Sequence, residues 1–336
     1  MDADDAGLTL HQLINGYRIS QAIHVAASLG IADHLIRGPK TSDDLAVVTG
    51  THAGALYRLL RALAAAGVLH ESDGRTFALA PIGQHLRSDV PGSRRAWARF
   101  SGQHSFWEAW GQLLHSVRTG ENAFKHTHGA DVWGYRARNP AECEVFDLAM
   151  REGSLRTFEA LSANYDFGKF RSIADIGGGD GSFLASVLKV HRGCSGVLFD
   201  QPHVVAAASG VLLEAGVAER CEIVGGSFFE CVPHACDAYV LKFILHDWED
   251  DQAARVLRAC RRAMGPSSKL IIIDRVLAPA NEGLEGKFSD LNMLVSAGGR
   301  ERTLEEFEIL FEASGFATTA IALSTGQLAV IEAGPT

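Results

Sequence analysis

The chain has 336 residues, 47% of them hydrophobic and 21% charged, which is typical of a globular protein with one large domain and a smaller one. The formal net charge of -9 argues against a nucleic-acid partner, because such a partner usually requires a basic face. The acidic N-terminus is no secretory signal, and no apolar run approaches the ~20 residues that cross a bilayer. We therefore expect a cytoplasmic protein with no membrane partner.

The six cysteines are scattered and include no Cys-x-x-Cys pair, which predicts reduced thiols rather than a disulfide framework. Cys231, His234 and Cys236 form the one dense group of metal-ligand residue types. This group lacks a fourth ligand and fits no common zinc spacing, so we expect no metal.

Residues 9–37 carry apolar side chains at helical spacing, with too many apolar positions for one solvent-facing helix. We expect part of this segment to be buried against a partner chain.

Two short helices and a hairpin are predicted next. Ser42 is placed to cap the first helix, which ends at Gly50, and Thr51 is placed to cap the second, which ends at Gly67. Two β-type runs then surround a turn at residues 72–74. This order is the winged-helix pattern, which many DNA-binding proteins share, so a ligand-sensing transcription factor is an alternative function.

The candidate recognition helix of that module, residues 52–66, offers Arg58 and Arg61 as its cations, and its other faces are rich in Leu and Ala. Such a helix is suited to packing, whereas duplex binding requires several contacts to phosphate groups. We expect the module to serve dimerisation.

Residues 93–165 are predicted to be mostly helical and are rich in aromatic side chains. Most of these rings should pack in the core, and a minority are expected to line a pocket for a flat ligand.

From about residue 171, short β-type runs alternate with helical ones, which predicts a parallel sheet covered by helices on both faces. Two β-type runs near the C-terminus, joined at residues 324–326, predict a terminal hairpin.

A glycine-rich turn, residues 177–181, follows the first strand of this sheet, at the edge where such sheets bind ligands. A dinucleotide fingerprint would place its third glycine at Ser182, and Asp175 and Asp180 add negative charge that disfavours a pyrophosphate. A ligand that carries an ammonium and a sulfonium suits the turn better. A NAD-dependent oxidoreductase and a plain tight turn remain the alternatives.

The ends of the next three strands carry further candidate groups. Asp200 ends the second strand, where a carboxylate can accept both hydroxyls of an adenosine ribose, although a helix cap is the simpler interpretation. Ser227 and Phe228 follow the third strand and could hold an adenine. The fourth strand delivers His246, Asp247 and Trp248 at its end.

His246 is the candidate general base. A neutral imidazole, with a pKa of about 6.5, can accept a proton from a bound ligand near neutral pH. The alternative is that His246 caps the following helix, and Asp247 is expected to serve that helix as an N-terminal carboxylate.

Six motifs occur in order along the chain: "DIGGGDG", "FDQPHVV", "GGSFFE", "LKFILHDW", "DLNML" and "GGRER". With these motifs the chain resembles the S-adenosylmethionine-dependent small-molecule O-methyltransferases, of the type shared by plant phenolic enzymes and bacterial enzymes of aromatic natural-product biosynthesis. The resemblance implies a class I, Rossmann-like α/β domain whose mostly parallel seven-stranded sheet ends in an antiparallel hairpin. It also implies a helical N-terminal winged-helix-like dimerisation domain, a homodimer and a small aromatic substrate. S-adenosylhomocysteine would be the product of the cofactor. The corresponding segments are a dimerisation domain at 1–92, a helical connector at 93–165 and a catalytic domain at 166–336.

The resemblance also implies roles for individual residues. The implied catalytic group is His246 as base, supported by Asp274 and Glu301. The implied cofactor-binding residues are Asp175, Gly177, Gly179, Asp200, Gly226, Ser227, Phe228, Lys242 and Trp248. The implied substrate-binding residues are Phe146, Met150, Asp290, Asn292 and Met293.

Two positions depart from the plant members. They usually carry Asp where this chain has Ser227, which weakens the expected adenine contact there. They usually carry Glu where this chain has Asp274, so the shorter side chain is expected to reach His246 through water or not at all. Because some bacterial relatives do other chemistry on this scaffold, C- or N-methylation is a further alternative.

Overall fold

A computed structural model describes residues 3–323 and 327–336. The N-terminal part combines helices with a small three-stranded sheet in the order β1-β3-β2. Its elements are α1 Ala3–Ile14, α2 Gly16–Ser28, α3 Ile31–His34, β1 Lys40–Thr41, α4 Ser42–Thr49, α5 Ala53–Ala65, β2 Leu69–Ser72, β3 Thr76–Leu79 and α6 Pro81–Gln84.

In both helices of the predicted winged-helix pattern, the N-cap residue lies one position away from the expected one. The side chain of Thr41, not of Ser42, accepts the N–H of Asp44 at 3.1 Å at the start of α4. The ring of His52, not Thr51, accepts the N–H of Ala55 at 3.2 Å at the start of α5. Ser42 is already helical and is buried at 1% exposure, so its hydroxyl does not serve as the cap.

The middle of the chain is mostly helical, as the sequence predicts, and consists of six helices. They are α7 Arg95–Ser101, α8 His104–Gly111, α9 Leu113–Thr119, α10 Ala123–His128, α11 Val132–Arg138 and α12 Pro140–Ser162.

The C-terminal part alternates strands and helices around a seven-stranded sheet in the order β6-β5-β4-β7-β8-β10-β9. Its elements are β4 Ser172–Ile176, α13 Ser182–Val190, β5 Ser195–Asp200, α14 Pro202–Val205, α15 Ala208–Glu214, β6 Cys221–Gly225, β7 Ala238–Lys242, α16 Asp250–Ala263, β8 Lys269–Arg275, α17 Leu284–Val295, α18 Leu304–Glu312, β9 Phe316–Leu323 and β10 Leu328–Pro335. Adjacent strands are parallel except that β10 is antiparallel to both β8 and β9. The predicted fold class is confirmed, while the turn predicted at 324–326 lies outside the described residues.

The strand order reverses beside β4. The chain runs outward from β4 through β5 to β6, and then returns to add β7 on the opposite side of β4. In such sheets the carboxyl ends of the strands beside the reversal form the ligand crevice. The glycine-rich turn after β4 and the His246 loop after β7 are thereby brought to one edge.

The central strands are buried on both faces. All four residues from Ala238 to Leu241 in β7 and from Leu270 to Ile273 in β8 are fully buried. Because helices cover both faces, these strands are continuous apolar runs rather than alternating ones, as the sequence showed.

The chain forms two compact units. The first comprises the chain up to Trp107 together with Asn139–Glu152, and the second comprises Glu108–Arg138 and Gly153–Thr336. The predicted connector at 93–165 is therefore shared between the two units, and the predicted three-part division stays a prediction. Among the described helices, none is both long and apolar enough to cross a membrane.

Candidate active site

His246 lies in a sharp turn after β7. Phe243, the first residue after the strand, has a φ of 55°, and a short 3-10 turn follows at Leu245–Asp247. A left-handed conformation is uncommon for a bulky side chain and redirects the chain within one residue. The Phe243 ring then stacks on the His246 ring at a centroid distance of 5.5 Å.

Two carboxylates meet one nitrogen of the His246 ring. Nδ1 lies 3.2 Å from Oδ1 of Asp274, at the end of β8, and 3.2 Å from Oε1 of Glu301, which follows α17. Both acidic residues are 1% exposed. The expectation that Asp274 is too short for direct contact with His246 is wrong, because β8 is the strand next to β7 and brings the carboxylate close.

Further hydrogen bonds fix these carboxylates. Oε1 of Glu301 accepts the hydroxyl of Ser289 at 2.7 Å, and the N–H of Glu301 donates to Oδ1 of Asp290 at 2.9 Å. Oδ1 of Asp274 accepts the N–H of Arg275 at 3.1 Å. The oxygens that face His246 are thus the fixed ones, which orients Nδ1–H toward them and leaves Nε2 to face elsewhere.

Charge around the ring sets its protonation. Burial alone lowers the pKa of His246, but the negative charges of Asp274, Glu301 and Asp247 raise it, and the resulting pKa lies well above its ordinary value. Burial opposes ionisation of Glu301, yet the His246 charge and the Ser289 hydroxyl hold the pKa of Glu301 below its ordinary value. The group is built to stabilise an imidazolium.

Asp247 does not occupy the position expected for it. Helix α16 begins at Asp250 with Glu249 as its N-cap, so Asp247 lies before the helix rather than in its first turn. Its Oδ1 is instead 3.7 Å from Nε2 of His246. Burial raises the pKa of Asp247 to about 6.

The glycine-rich turn is tied to the end of β5. Gly177 and Gly179 have φ values of 72° and 62°, which favour glycine. The N–H of Gly179 donates to Oδ2 of Asp200 at 2.9 Å, and the N–H of Gln201 donates to its Oδ1 at 2.7 Å. Asp200 thus has a fixed carboxylate at the sheet edge, where the ribose was predicted to bind.

Asp175 is a buried carboxylate without hydrogen bonds. It is 1% exposed, and neither of its oxygens has a hydrogen-bond partner in the part of the chain that the structure describes. Burial raises the pKa of Asp175 to about 7, although the charge of Lys242 opposes this shift. An unpaired buried carboxylate is costly unless a ligand supplies a donor or a positive charge, so this position fits the ammonium or sulfonium of S-adenosylmethionine.

Aromatic side chains gather beside the ends of β6 and β7. The Trp248 ring lies edge-on to Phe229 at 4.8 Å and to Phe228 at 6.1 Å. The indole N–H of Trp248 is buried and has no acceptor among the described residues. The N–H of Gly226 donates to the backbone carbonyl of Asp200 at 2.9 Å, which connects the residue after β6 to the end of β5. Ser227 follows at this edge, so these residues are brought together where the adenine was predicted.

Lys242, which was predicted beside the adenine, has its ammonium 5.8 Å from the centre of the Phe183 ring and 5.3 Å from that of Phe243. Burial lowers the pKa of Lys242, while the nearby Asp175 carboxylate raises it. The structure therefore associates the charge of Lys242 with Asp175.

The predicted substrate residues fall in both units. Asp290, Asn292 and Met293 lie on α17, and Oδ1 of Asn292 accepts the indole N–H of Trp110 at 3.2 Å. Phe146 and Met150 lie on α12 within the first unit.

Three residues near His246 were not predicted from the sequence to be parts of the site: Ser289, Gly299 and Arg302. Ser289 contacts the Glu301 carboxylate, and Arg302 is almost fully buried and hydrogen-bonds to the His246 loop. Gly299 and Arg302 belong to the motif "GGRER", which was the only sequence signal for them. The motif does not indicate that these two residues contact the backbone of the His246 loop.

The negative charge of Asp175 at this edge of the sheet indicates which cofactor can bind there, and the cofactor in turn indicates the class of protein. A pyrophosphate would meet the buried Asp175 carboxylate, whereas S-adenosylmethionine brings a positive charge together with the hydrogen-bond donors that this carboxylate lacks among the described residues. On this sheet topology, with a histidine held by carboxylates after β7, that preference is typical of class I methyltransferases.

Comparison with known protein families supports this assignment to the methyltransferases. The O-methyltransferase domain matches residues 110–317, and the O-methyltransferase dimerisation domain matches residues 11–89. The chain therefore belongs to the O-methyltransferase family.

Two curated relatives illustrate the range of that family. The phenazine O-methyltransferase PhzM of Lysobacter antibioticus is 42% identical over 97% of this chain and 95% of its own length. The 8-amino-8-demethylriboflavin N,N-dimethyltransferase of Streptomyces davaonensis is 40% identical over 97% of this chain and 95% of its own length.

Two solved structures share the fold. The crystal structure of LaPhzM matches with a TM-score of 0.94 at 42% identity, covering 98% of this chain and 99% of the other. The O-methyltransferase NcsB1 from neocarzinostatin biosynthesis, solved with S-adenosylmethionine and 2-hydroxy-5-methyl naphthoic acid, matches with a TM-score of 0.81 at 31% identity, covering 95% and 96%. The predicted enzyme class, O-methyltransferase function and S-adenosylmethionine cofactor are confirmed.

Proposed function

We propose that this enzyme methylates a phenolic hydroxyl on a small, fused or substituted aromatic molecule, with His246 as the base that accepts the hydroxyl proton. The observation that carries the proposal is the contact of Nδ1 of His246 with both Asp274 and Glu301 at 3.2 Å. The acceptors named for relatives, a phenazine and a naphthoic acid, support the aromatic class.

The carboxylates assign the two ring nitrogens different tasks. With Nδ1–H directed at Asp274 and Glu301, the neutral ring presents a lone pair on Nε2. Nε2 takes the hydroxyl proton as the oxygen becomes a nucleophile, and the two carboxylates stabilise the imidazolium that results. General-base assistance of this kind contributes on the order of 10²–10⁴-fold.

The raised pKa of His246 limits when this can happen. Before substrate binds, the carboxylates favour the protonated ring, which cannot accept a proton. A positive cofactor bound nearby disfavours the imidazolium, so cofactor binding is expected to prepare the base. An acceptor with an acidic hydroxyl can also enter already ionised and pair with the imidazolium.

The cofactor, when bound, supplies an electrophilic methyl group on a sulfonium. Asp175, the glycine turn and Asp200 would hold its amino-acid and ribose parts, and Phe228 and Trp248 would border its adenine. Holding the acceptor oxygen in line is worth roughly 7–11 kcal/mol in reactions of this kind, so orientation is the larger contribution of the protein.

We also infer a homodimer located in the cytoplasm. The match of residues 11–89 to a dimerisation domain supports the dimer, as do the exposed apolar side chains Leu10, Leu13 and Ile14 on α1. These side chains would be covered by the partner chain.

N-methylation of an aromatic amine is the second candidate, because the riboflavin-type relative at 40% identity is an N,N-dimethyltransferase. A neutral amine carries its own lone pair, so this reaction depends less on a base before the methyl group is transferred.

Replacing His246 separates the two candidates. The purified enzyme is assayed with matched pairs of hydroxyl and amino acceptors built on phenazine, naphthoate and benzoate rings. If the proposal holds, wild type methylates the hydroxyl member and His246→Ala loses on the order of 10²–10⁴-fold in kcat. Equal rates for His246→Ala and wild type on the hydroxyl acceptor would contradict the base assignment. A preference for the amino member would favour N-methylation.

A further inference from the structure

Arg302 bonds to the backbone on both sides of the catalytic histidine. Its Nη1 donates to the carbonyl of Leu245 at 2.9 Å, and its Nη2 donates to the carbonyl of Trp248 at 2.9 Å. Arg302 is 1% exposed and is among the largest fully buried side chains of the protein. The guanidinium thus spans the segment that contains His246.

The same guanidinium reaches two other segments. Nε and Nη2 donate to Oδ1 of Asp250, the first residue of α16, at 3.0 Å and 2.8 Å. Nη1 also donates to the carbonyl of Arg300 at 3.3 Å. A planar guanidinium with fixed donor directions can hold several acceptors in one geometry, which a lysine ammonium cannot do.

Gly299, three residues before Arg302, also contacts the loop that contains His246. A Cβ atom at residue 299 would overlap with the carbonyl oxygen of His246, the carbonyl carbon of Asp247 and the nitrogen of Trp248. These atoms are backbone, so they cannot rotate away as a flexible side chain could. Gly299 has no left-handed φ, so close approach, not backbone conformation, is what requires glycine there.

The loop that is held in this way is strained. Phe243 has a φ of 55°, and a bulky residue keeps that conformation only where its surroundings impose it. Bonds from Arg302 and the close approach of Gly299 supply such surroundings. Glu301, between them in sequence, contacts the His246 ring itself.

We propose that Arg302 and Gly299 are positioning residues for methyl transfer, which hold the His246 loop in the strained geometry that brings the imidazole to Asp274 and Glu301. This inference rests on the proposed function of His246 as the base. It goes beyond that function because the contacts of Arg302 and Gly299 with the His246 loop are to backbone atoms and not to the imidazole ring.

The kinetic test uses the full-length enzyme with Arg302→Met, Arg302→Lys and Gly299→Ala. Arg220→Met is the matched control, because Arg220 also donates to backbone carbonyls, at Leu188 and Cys194, away from His246. We expect Arg302→Met and Gly299→Ala to lose up to about 10²-fold in kcat, because a misplacement of about 1 Å far from the chemistry can cost that much, with little change in KM or in S-adenosylhomocysteine affinity. Arg302→Lys should recover part of the loss, and Arg220→Met should lower only the melting temperature.

The direct test is the pKa of the His246 ring, measured by NMR on histidine-labelled enzyme without cofactor and assigned with His246→Ala. If the loop relaxes in Arg302→Met or Gly299→Ala, the ring leaves the carboxylates and its pKa falls toward ~6.5. An unchanged ring pKa together with unchanged kcat in both variants would overturn the proposal and leave Arg302 a purely structural residue. Where Arg302→Met does not fold, Gly299→Ala and Arg302→Lys give the same readout.

The two proposals fail in different ways. Full hydroxyl methylation by His246→Ala would overturn the base assignment, while a lowered ring pKa in Gly299→Ala would still support positioning. The opposite pattern is an inactive His246→Ala together with an unchanged His246 pKa and an unchanged kcat in Arg302→Met and Gly299→Ala. That result would overturn only the proposal that Arg302 and Gly299 position the loop.

Discussion

One oxygen of Glu301 lies 3.2 Å from Nδ1 of His246 and also accepts the hydroxyl of Ser289 at 2.7 Å. The bond from Ser289 fixes the carboxylate without adding positive charge, so Glu301 keeps its negative charge beside the ring. The pH dependence of the reaction should therefore report this carboxylate.

We predict that kcat/KM of the wild type rises with pH through an apparent pKa above 6.5, the ordinary value of histidine. The sign follows because the base must be neutral, and the carboxylates keep the ring protonated to higher pH. Glu301→Gln removes one negative charge, so its acidic limb should shift to lower pH, while its plateau kcat falls on the order of 10–100-fold. Glu285→Gln, which alters an exposed carboxylate, is the control and should leave the profile unchanged. An acidic limb that does not move in Glu301→Gln would contradict this assignment.

Chelation should not affect the reaction. His246, Asp274 and Glu301 place one ligand atom each within 4.8 Å of the others, which is also a geometry that a cation could use. A cation bound to Nδ1 would move the ring proton to Nε2, which could then no longer accept the hydroxyl proton, so we expect dialysis against EDTA to leave kcat unchanged and added Zn²⁺ to inhibit. Turnover that is lost on chelation and restored by Mg²⁺ or Zn²⁺ would require a different mechanism.

The strand ends of the sheet could be predicted because their signals are local. Continuous apolar runs marked β7 and β8, and Asp200 and His246 stood at the points where such runs stop. Strand ends of a parallel sheet share one edge, so the cofactor and base regions followed from strand order alone.

Contacts that depend on a single backbone angle could not be predicted. The direct contact of Asp274 with His246 requires the turn at Phe243, whose φ of 55° no propensity indicates for a phenylalanine. The contact of Asp247 with Nε2 of His246 follows from the same turn. The role of Arg302 could not be predicted because its acceptors in the His246 loop are backbone carbonyl groups, which every residue has.

A buried network at the other end of the sheet should contribute measurably to stability. Glu332 on β10 accepts the hydroxyl of Tyr165 at 3.0 Å and the ammonium of Lys169 at 2.6 Å. Burial opposes its ionisation, but the bonds from Lys169 and Tyr165 lower the pKa of Glu332 below its ordinary value. A lowered pKa means that the ionised carboxylate stabilises the fold above its unfolded pKa of ~4.3 and ceases to do so as pH falls below it.

We therefore predict that Glu332→Gln lowers the melting temperature at pH 7 by roughly 2–4 °C, since it keeps the shape and loses the charge. The difference from wild type should shrink as pH falls below about 4. Calorimetry at several pH values measures both. A difference that stays constant across this range would mean that packing, not charge, is what the substitution changes.

Cofactor affinity should depend on pH through Asp175. Burial raises the pKa of Asp175 to about 7, and its oxygens have no hydrogen-bond partner among the described residues, so the free enzyme is only partly ionised there at neutral pH. A ligand with an ammonium group binds the ionised form better, so binding of S-adenosylhomocysteine should tighten as pH rises toward 7 and level off above it. Calorimetry in two buffers of different ionisation enthalpy should detect protons released on binding. Asp175→Asn keeps the shape but cannot ionise, so its affinity for S-adenosylhomocysteine should be weaker and independent of pH. The control is Asp237→Asn, which should behave as wild type. Asp237 lies directly before β7, and its carboxylate accepts the N–H of Arg171. A wild-type affinity that is flat from pH 6 to 8 would show that the cofactor does not meet the Asp175 carboxylate.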